Sequence, residues 1–216
     1  MLSQTERLNK VDLKPEKFLL CQTQYGNPAS LSKNNIRSIF VDSKNTLWIG
    51  TFEGGVNIMA DGEEQFVKFK DKELGTENVW EIFEDTKKQM WLGTSNGLYC
   101  YNAEKNDLKR YKFDKKNSES ISNDIVRCAF EDSKGNLWIG TDRGLMYFDY
   151  QNQQFISNIL LNENVANFSI THIIKDDEGN LWVGTRGDGL NKLPPGLGSR
   201  ISYNMDNGLS NNAVLS

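Results

Sequence analysis

The chain is short of several residue types that would narrow its chemistry at once. It has one histidine, His172, in 216 residues. That removes most His-based zinc sites and leaves a single candidate for the base of any Ser/His/Asp triad. The cysteines, Cys21, Cys100 and Cys128, are odd in number and far apart, so they define neither a disulfide framework nor a CxxC pair, and plain buried or half-exposed thiols are expected. No apolar run reaches the roughly 18 residues of a membrane span, and the opening MLSQTERLNK is polar and acidic where an export signal would be apolar. Membrane insertion by this segment is therefore not expected. Nor is there an excess of positive charge: 25 Lys and Arg against 29 Asp and Glu give a net charge of −4. Phosphate backbones find no overall attraction here, and nucleic acid is not expected as a partner.

What the chain does have is globular composition, 38% hydrophobic and 11% aromatic, and a nine-residue phrase written four times. DSKNTLWIG starts at Asp42, DTKKQMWLG at Asp85, DSKGNLWIG at Asp132 and DDEGNLWVG at Asp176. Trp48, Trp91, Trp138 and Trp182 are 43, 47 and 44 residues apart, the period of a propeller blade. Other positions keep register with them. Eight residues before each Trp stand Phe40, Phe83, Phe130 and Ile174, and twelve before stand Ile36, Val79, Val126 and Ile170. A glycine follows two residues after each Trp and a threonine three after.

Within one period IRSIFV, TLWIGT, VNIM and QFVKF read as four short strands joined by turns. A sheet of this kind has two apolar faces and must stack on its neighbours. The predicted fold is all-β, a β-propeller of four-stranded antiparallel blades, with a right-handed solenoid as the alternative. The Asp of each phrase is expected to accept hydrogen bonds from the turn that follows, the Trp to pack between blades, and the Gly to admit a close neighbour. The motif thus reads as a structural staple. Residues 1–25 match the third and fourth strands of a preceding blade; 36–69, 79–113, 126–157 and 170–204 are whole blades; and 209–216 begin a further one, all within one propeller domain. A partial propeller, cut from a longer one, is the expectation.

The string SLSKNNIRSIFVDSKNTLWIGTFEGGVNIM, with its echoes SISNDIVRCAFEDSKGNLWIGTDRGLMYFD and FSITHIIKDDEGNLWVGTRGDGLNKL, resembles the two-component regulator propeller repeat. That family supplies the periplasmic sensor region of hybrid two-component system histidine kinases. The resemblance implies a periplasmic segment of a dimeric receptor that senses a glycan-derived oligosaccharide and relays to a kinase beyond this chain. No kinase H-box, phosphoacceptor aspartate context or helix-turn-helix is written here. The segment itself is expected not to be an enzyme.

In a propeller the first strands line the channel, and the turns between second and third strands surround one mouth. Those turns read Phe52-Glu53-Gly54, Ser95-Asn96-Gly97, Asp142-Arg143-Gly144 and Arg186-Gly187-Asp188. They are polar, and each differs from the others. Glu53, Asn96, Asp142, Arg143, Arg186 and Asp188 are candidates for the forked donors and acceptors that sugar hydroxyls need. Eleven residues before each repeat Trp come Arg37, Trp80, Arg127 and Thr171. If that register faces the channel, Arg37, Trp80 and Arg127 form an arc suited to an anionic or sugar ligand; otherwise they pair with carboxylates or pack in the seams. His172, in the alternating SITHIIK, is expected to be a packed core histidine. DDEGN at Asp176 lacks the alternating acids of a calcium loop. No catalytic set, metal site or cofactor is therefore expected. An enzyme with Asp-box-like turns acting on carbohydrate, and a protein-interaction scaffold, are the competing functions.

Overall fold

The computed structural model of the chain describes residues 20–157, 168–195 and 199–215. Its described residues form four antiparallel sheets of four strands each, in sequential order. The first holds β1 (Ile36–Val41), β2 (Leu47–Thr51), β3 (Val56–Met59) and β4 (Val67–Phe69); the second holds β5 (Val79–Glu84), β6 (Gln89–Thr94), β7 (Gly97–Asn102) and β8 (Asp107–Tyr111). The third holds β9 (Val126–Glu131), β10 (Leu137–Thr141), β11 (Gly144–Asp149) and β12 (Gln154–Ser157), and the fourth β13 (Ile170–Lys175), β14 (Leu181–Thr185), β15 (Leu190–Leu193) and β16 (Ile201–Tyr203). β1 lies beside β5, β5 beside β9 and β9 beside β13. The sheets are blades of a β-propeller, as the repeat predicts, with first strands adjacent. Of the strands expected in 1–25, residues 1–19 lie outside the described ones, and 20–25 carry no strand.

The repeated phrase is a latch with more parts than the sequence reading gave it. In each blade one carboxylate oxygen of the Asp accepts backbone N–H groups of its own turn, as when Asp85 accepts Gln89 N–H at 2.8 Å. The other oxygen accepts the indole N–H of the Trp six residues on, at 2.9, 2.8, 3.1 and 2.8 Å along the chain. An indole is thereby buried with its one donor satisfied. The turn needs a left-handed residue three positions after the Asp. Gly135 and Gly179 supply it freely, whereas Asn45 and Lys88 adopt φ of 61° and 63° against a steric penalty.

The Trp rings fill the seams between blades. Trp48 meets Phe69 of its own blade at 4.7 Å and Tyr101 of the next at 6.4 Å; Trp91 meets Phe148 of the third blade at 5.3 Å. The glycine two residues later has a strict purpose. A Cβ on Gly50 would stand 2.9 Å from Val79 Cγ1, and one on Gly93 2.9 Å from the Val126 carbonyl. The first strand of each following blade is packed directly onto that glycine. A carboxylate clamp adds to each of the first two seams: Glu84 accepts both the N–H and the hydroxyl of Ser43, and Glu131 accepts both from Thr86, all at 2.7–2.9 Å.

One expectation fails in this frame. His172 is exposed rather than in the core. The pairing of β13 with β14 shifts between Ile170 and His172. The counterparts of His172 after the same register shift, Glu81 and Cys128, face a following blade, and Cys128 is buried there. Ile170 is fully buried, but His172 points away from that core, on a face with no complete blade among the described residues.

Candidate ligand-binding rim

The same register shift occurs at one place in all four first strands: between Ile36 and Ser38, Val79 and Glu81, Val126 and Cys128, and Ile170 and His172. The residue skipped in each case is Arg37, Trp80, Arg127 or Thr171. These four are the extra residues of β-bulges, which re-aim a side chain out of the regular alternation of the pleat. Without the bulge they would face the seams. With it, three of them reach the turns between second and third strands.

Arg37 lies over both the Phe52 ring and the Trp80 ring, with 5.2 Å to each centroid. Arg127 lies over Trp80 from the other neighbouring blade at 5.1 Å, and Phe52 meets Trp80 edge-on at 6.1 Å. The Arg-Trp-Arg arc is thus assembled, but its indole is flanked by guanidinium groups and gives no free face to a sugar ring. Arg127 donates through Nε and Nη2 to the two oxygens of Asp142, the second at 2.9 Å. The Ser169 hydroxyl donates to the same carboxylate at 2.6 Å. Burial works to raise the Asp142 pKa; the hydrogen bonds from Arg127 and Ser169 and the charges of Arg127 and Arg186 outweigh it and hold the carboxyl below its ordinary value.

Other candidates are placed differently. Arg143 and Arg186 are exposed on their turns, and Glu53 is exposed with its N–H donated to the Asn78 side chain at 2.8 Å. Asn96 is committed away from the arc: it donates to Glu77 at 2.8 Å, and its oxygen accepts Lys112 at 3.1 Å. Asp188 accepts Arg200, the residue before β16, at 2.9 Å. Thr171 donates to the Val214 carbonyl and does not join the arc. Phe52 and Ser169 belong to the cluster and were not singled out from the sequence. The only signal was their position: Phe52 one residue after the repeat Thr, Ser169 one residue before a first strand.

The rim turns are held by backbone and hydroxyl groups common to all blades. Thr51, Thr94, Thr141 and Thr185 are fully buried and donate to the carbonyls of Gly55, Gly97, Gly144 and Gly189 at 2.8–3.1 Å. The N–H groups of Gly55, Gly97, Gly144 and Gly187 donate to the carbonyls of Glu77, Asp124, Phe168 and Asn212, the first three each two residues ahead of the core position of the following first strand, at 2.7–3.1 Å.

The sequence pattern of the two component regulator propeller family matches residues 30–53, 120–143 and 166–187. Each match runs from the loop before a first strand, through the Asp–Trp latch, to the rim turn. These three stretches are similar to the two-component regulator propeller repeat. The repeat around Trp91, where Lys88 replaces the turn glycine, lies outside the matched stretches. The chain is similar in structure to the extracellular domain of the B. thetaiotaomicron hybrid two component system protein BT3049, at 23% identity and a TM-score of 0.72 over 90% of this chain and 25% of that one. BT4673 from the same organism, likewise an extracellular domain of a hybrid two component system, matches at 25% identity and a TM-score of 0.57, over 90% of this chain and 28% of that one. An auxiliary nutrient binding protein of B. thetaiotaomicron shares the fold alone, at 11% identity and a TM-score of 0.59 over 82% of this chain and 43% of that one. The chain spans about a quarter of the length of the first two structures. No curated protein matches it in sequence.

Proposed function

We propose that this chain is an extracellular, periplasmic ligand-sensing segment of a hybrid two-component receptor. In this reading it recognises a glycan-derived oligosaccharide at the rim and passes the binding event to a histidine kinase outside the chain, in a dimeric parent. The observation that carries the reading is the placement of Arg37, Trp80 and Arg127 on successive bulges, beside turns whose frame is uniform and whose side chains differ. A rigid scaffold that varies only at one set of turns is the arrangement of a recognition surface. Among the described residues no helix is long and apolar enough to cross a membrane, so signal transfer across one is assigned to other parts of the receptor.

The geometry weighs against the enzyme reading. The four latch aspartates sit in turns between first and second strands, at the opposite end of each sheet from the rim, with both oxygens engaged by the turn and the indole. At the rim, Asp142 is held ionised by Arg127 and is not paired with a second carboxylate. Calorimetric titration of the protein with an oligosaccharide panel tests the proposal. Heat of binding without turnover supports a sensor; hydrolysis or elimination products would establish an enzyme; the absence of any saccharide binding favours an interaction scaffold. A membrane-spanning helix and kinase encoded in the same reading frame would support the receptor assignment independently.

A further inference from the structure

The hydrogen-bonding groups of the bulge cluster do not balance. Both oxygens of Asp142 are taken, by Arg127 and Ser169. Arg37 makes no ion pair among the described residues, yet the Phe52 and Trp80 rings hold its guanidinium in place. The Trp80 indole N–H is shielded from water and has no acceptor among the described residues. Arg143 and Arg186 stand exposed on the neighbouring turns without ion-pair partners among the described residues; set against them are the exposed carboxylate of Glu53 and one buried oxygen of Glu77 that has no partner among the described residues.

A neutral sugar hydroxyl both donates and accepts, so a site for it offers groups of both kinds. Here the uncommitted groups are mainly donors, and most carry charge. A guanidinium that lies over a ring keeps its N–H edge open to a partner with two parallel acceptor oxygens. From this surplus we infer that the group bound at the bulge cluster is an oxyanion, the carboxylate or sulfate ester of an acidic saccharide, gripped by the edge of Arg37. Arg127 does not compete for it, because Asp142 has already neutralised that side chain. Its task is to hold Trp80 from the far side, as Arg37 does from the near one.

The inference rests on the proposal that the rim binds saccharides, and the test separates the two. The full chain is titrated by calorimetry with trigalacturonate, with a 6-sulfated N-acetylglucosamine disaccharide and with neutral galactotriose. The same titrations are run on Arg37→Gln and on Lys105→Gln, a substitution in the exposed turn between β7 and β8. One acidic probe is expected to bind at least 10-fold more tightly than galactotriose, to lose at least 10-fold in affinity in Arg37→Gln, and to be unaffected in Lys105→Gln. Which acid binds identifies the source of the oxyanion. Tryptophan emission checks that Arg37→Gln is folded, and Arg37→Lys, which keeps the charge but loses the fork, should fall between the two. If galactotriose binds as tightly as the acids, or Arg37→Gln binds the acids unchanged, the oxyanion assignment is overturned while saccharide binding stands. If none of the three binds, both are overturned.

Discussion

Removing the carboxylate of Asp85 should be among the most damaging single changes in the second blade, and the structure sets its scale. Asp85 is 2% exposed and accepts three hydrogen bonds of 2.8 Å, from the Gln89 N–H, the Trp91 indole and the Tyr150 hydroxyl of the third blade. Trp91 is 1% exposed, so in Asp85→Ala its N–H would be left in the seam without an acceptor. A buried donor stranded in this way costs about 1–3 kcal/mol, and hydrogen bonds to a charged group contribute roughly 1.5–3 kcal/mol each, less the desolvation of the carboxylate. We expect a net loss of about 3–5 kcal/mol. Asp42 makes the same latch with Trp48 but is only half-buried and has no tyrosine partner, so Asp42→Ala should cost about 1–2 kcal/mol. Urea unfolding followed by tryptophan emission measures both, and Tyr150→Phe with the double variant closes a cycle that isolates the bond across the seam. If Asp85→Ala is no more damaging than Asp42→Ala, or the cycle shows no coupling, the latch is not what joins these blades.

Glu81 faces the seam between the second and third blades, and burial pushes its pKa up to about 7 from 4.5, against the opposing hydrogen bonds of Ile82 and Ala129. A carboxyl raised in the folded state is neutral there at acid pH and is ionised more readily in the unfolded chain. Stability should therefore fall as pH rises from about 4.5 to 7, by at most about 3 kcal/mol. Glu81→Gln should remove that slope and be the more stable protein at pH 8, as unfolding curves across pH would report. Gly140→Ala should cost about 2–3 kcal/mol by overpacking, because its methyl group would meet Cys128 Sγ and lie 2.7 Å from Ile170 Cγ2; thermal melting reads the loss. Lys88→Gly should instead stabilise by about 0.5–1 kcal/mol, since Lys88 holds φ of 63° in a turn where two other repeats use glycine. An unchanged or lower melting temperature for Lys88→Gly refutes that account.

The blades were legible because the same contacts recur four times. A Trp at a fixed interval, a Gly where the next strand arrives and an Asp at a turn are each weak alone, but their common register specifies the sheet. The second half of the latch was not legible. That Asp42 or Asp176 would reach forward six residues to an indole depends on the turn bringing the strands together, which the residue types do not state. The bulges were hidden for a related reason. Strict alternation sends Arg37 and Trp80 to the seams, and only the skipped pairing turns them to the rim; His172 is exposed for a different reason, that no complete blade covers it among the described residues as the third and fourth blades cover Glu81 and Cys128. Asn96 and Asp188 are tied instead to Lys112, just after the outer strand of its blade, and to Arg200, just before the outer strand of its own. Reading turns as isolated tripeptides misses partners a dozen or more residues away.

The N–H fastening at the rim changes what counts as a transplantable part of this protein. Because the turn of each blade donates to the carbonyl that opens the following one, a blade owns its latch but borrows half the support of its rim. A chimera cut in front of a first strand would set an imported turn against a foreign acceptor. Cutting at the aspartate instead keeps that bond but parts the turn from its own first strand, whose opening carbonyl accepts the other rim N–H, as Asn35 does from Phe52 at 2.9 Å. Each rim turn is thus held jointly by two successive blades, and the smallest unit that carries both of its fastenings spans two first strands.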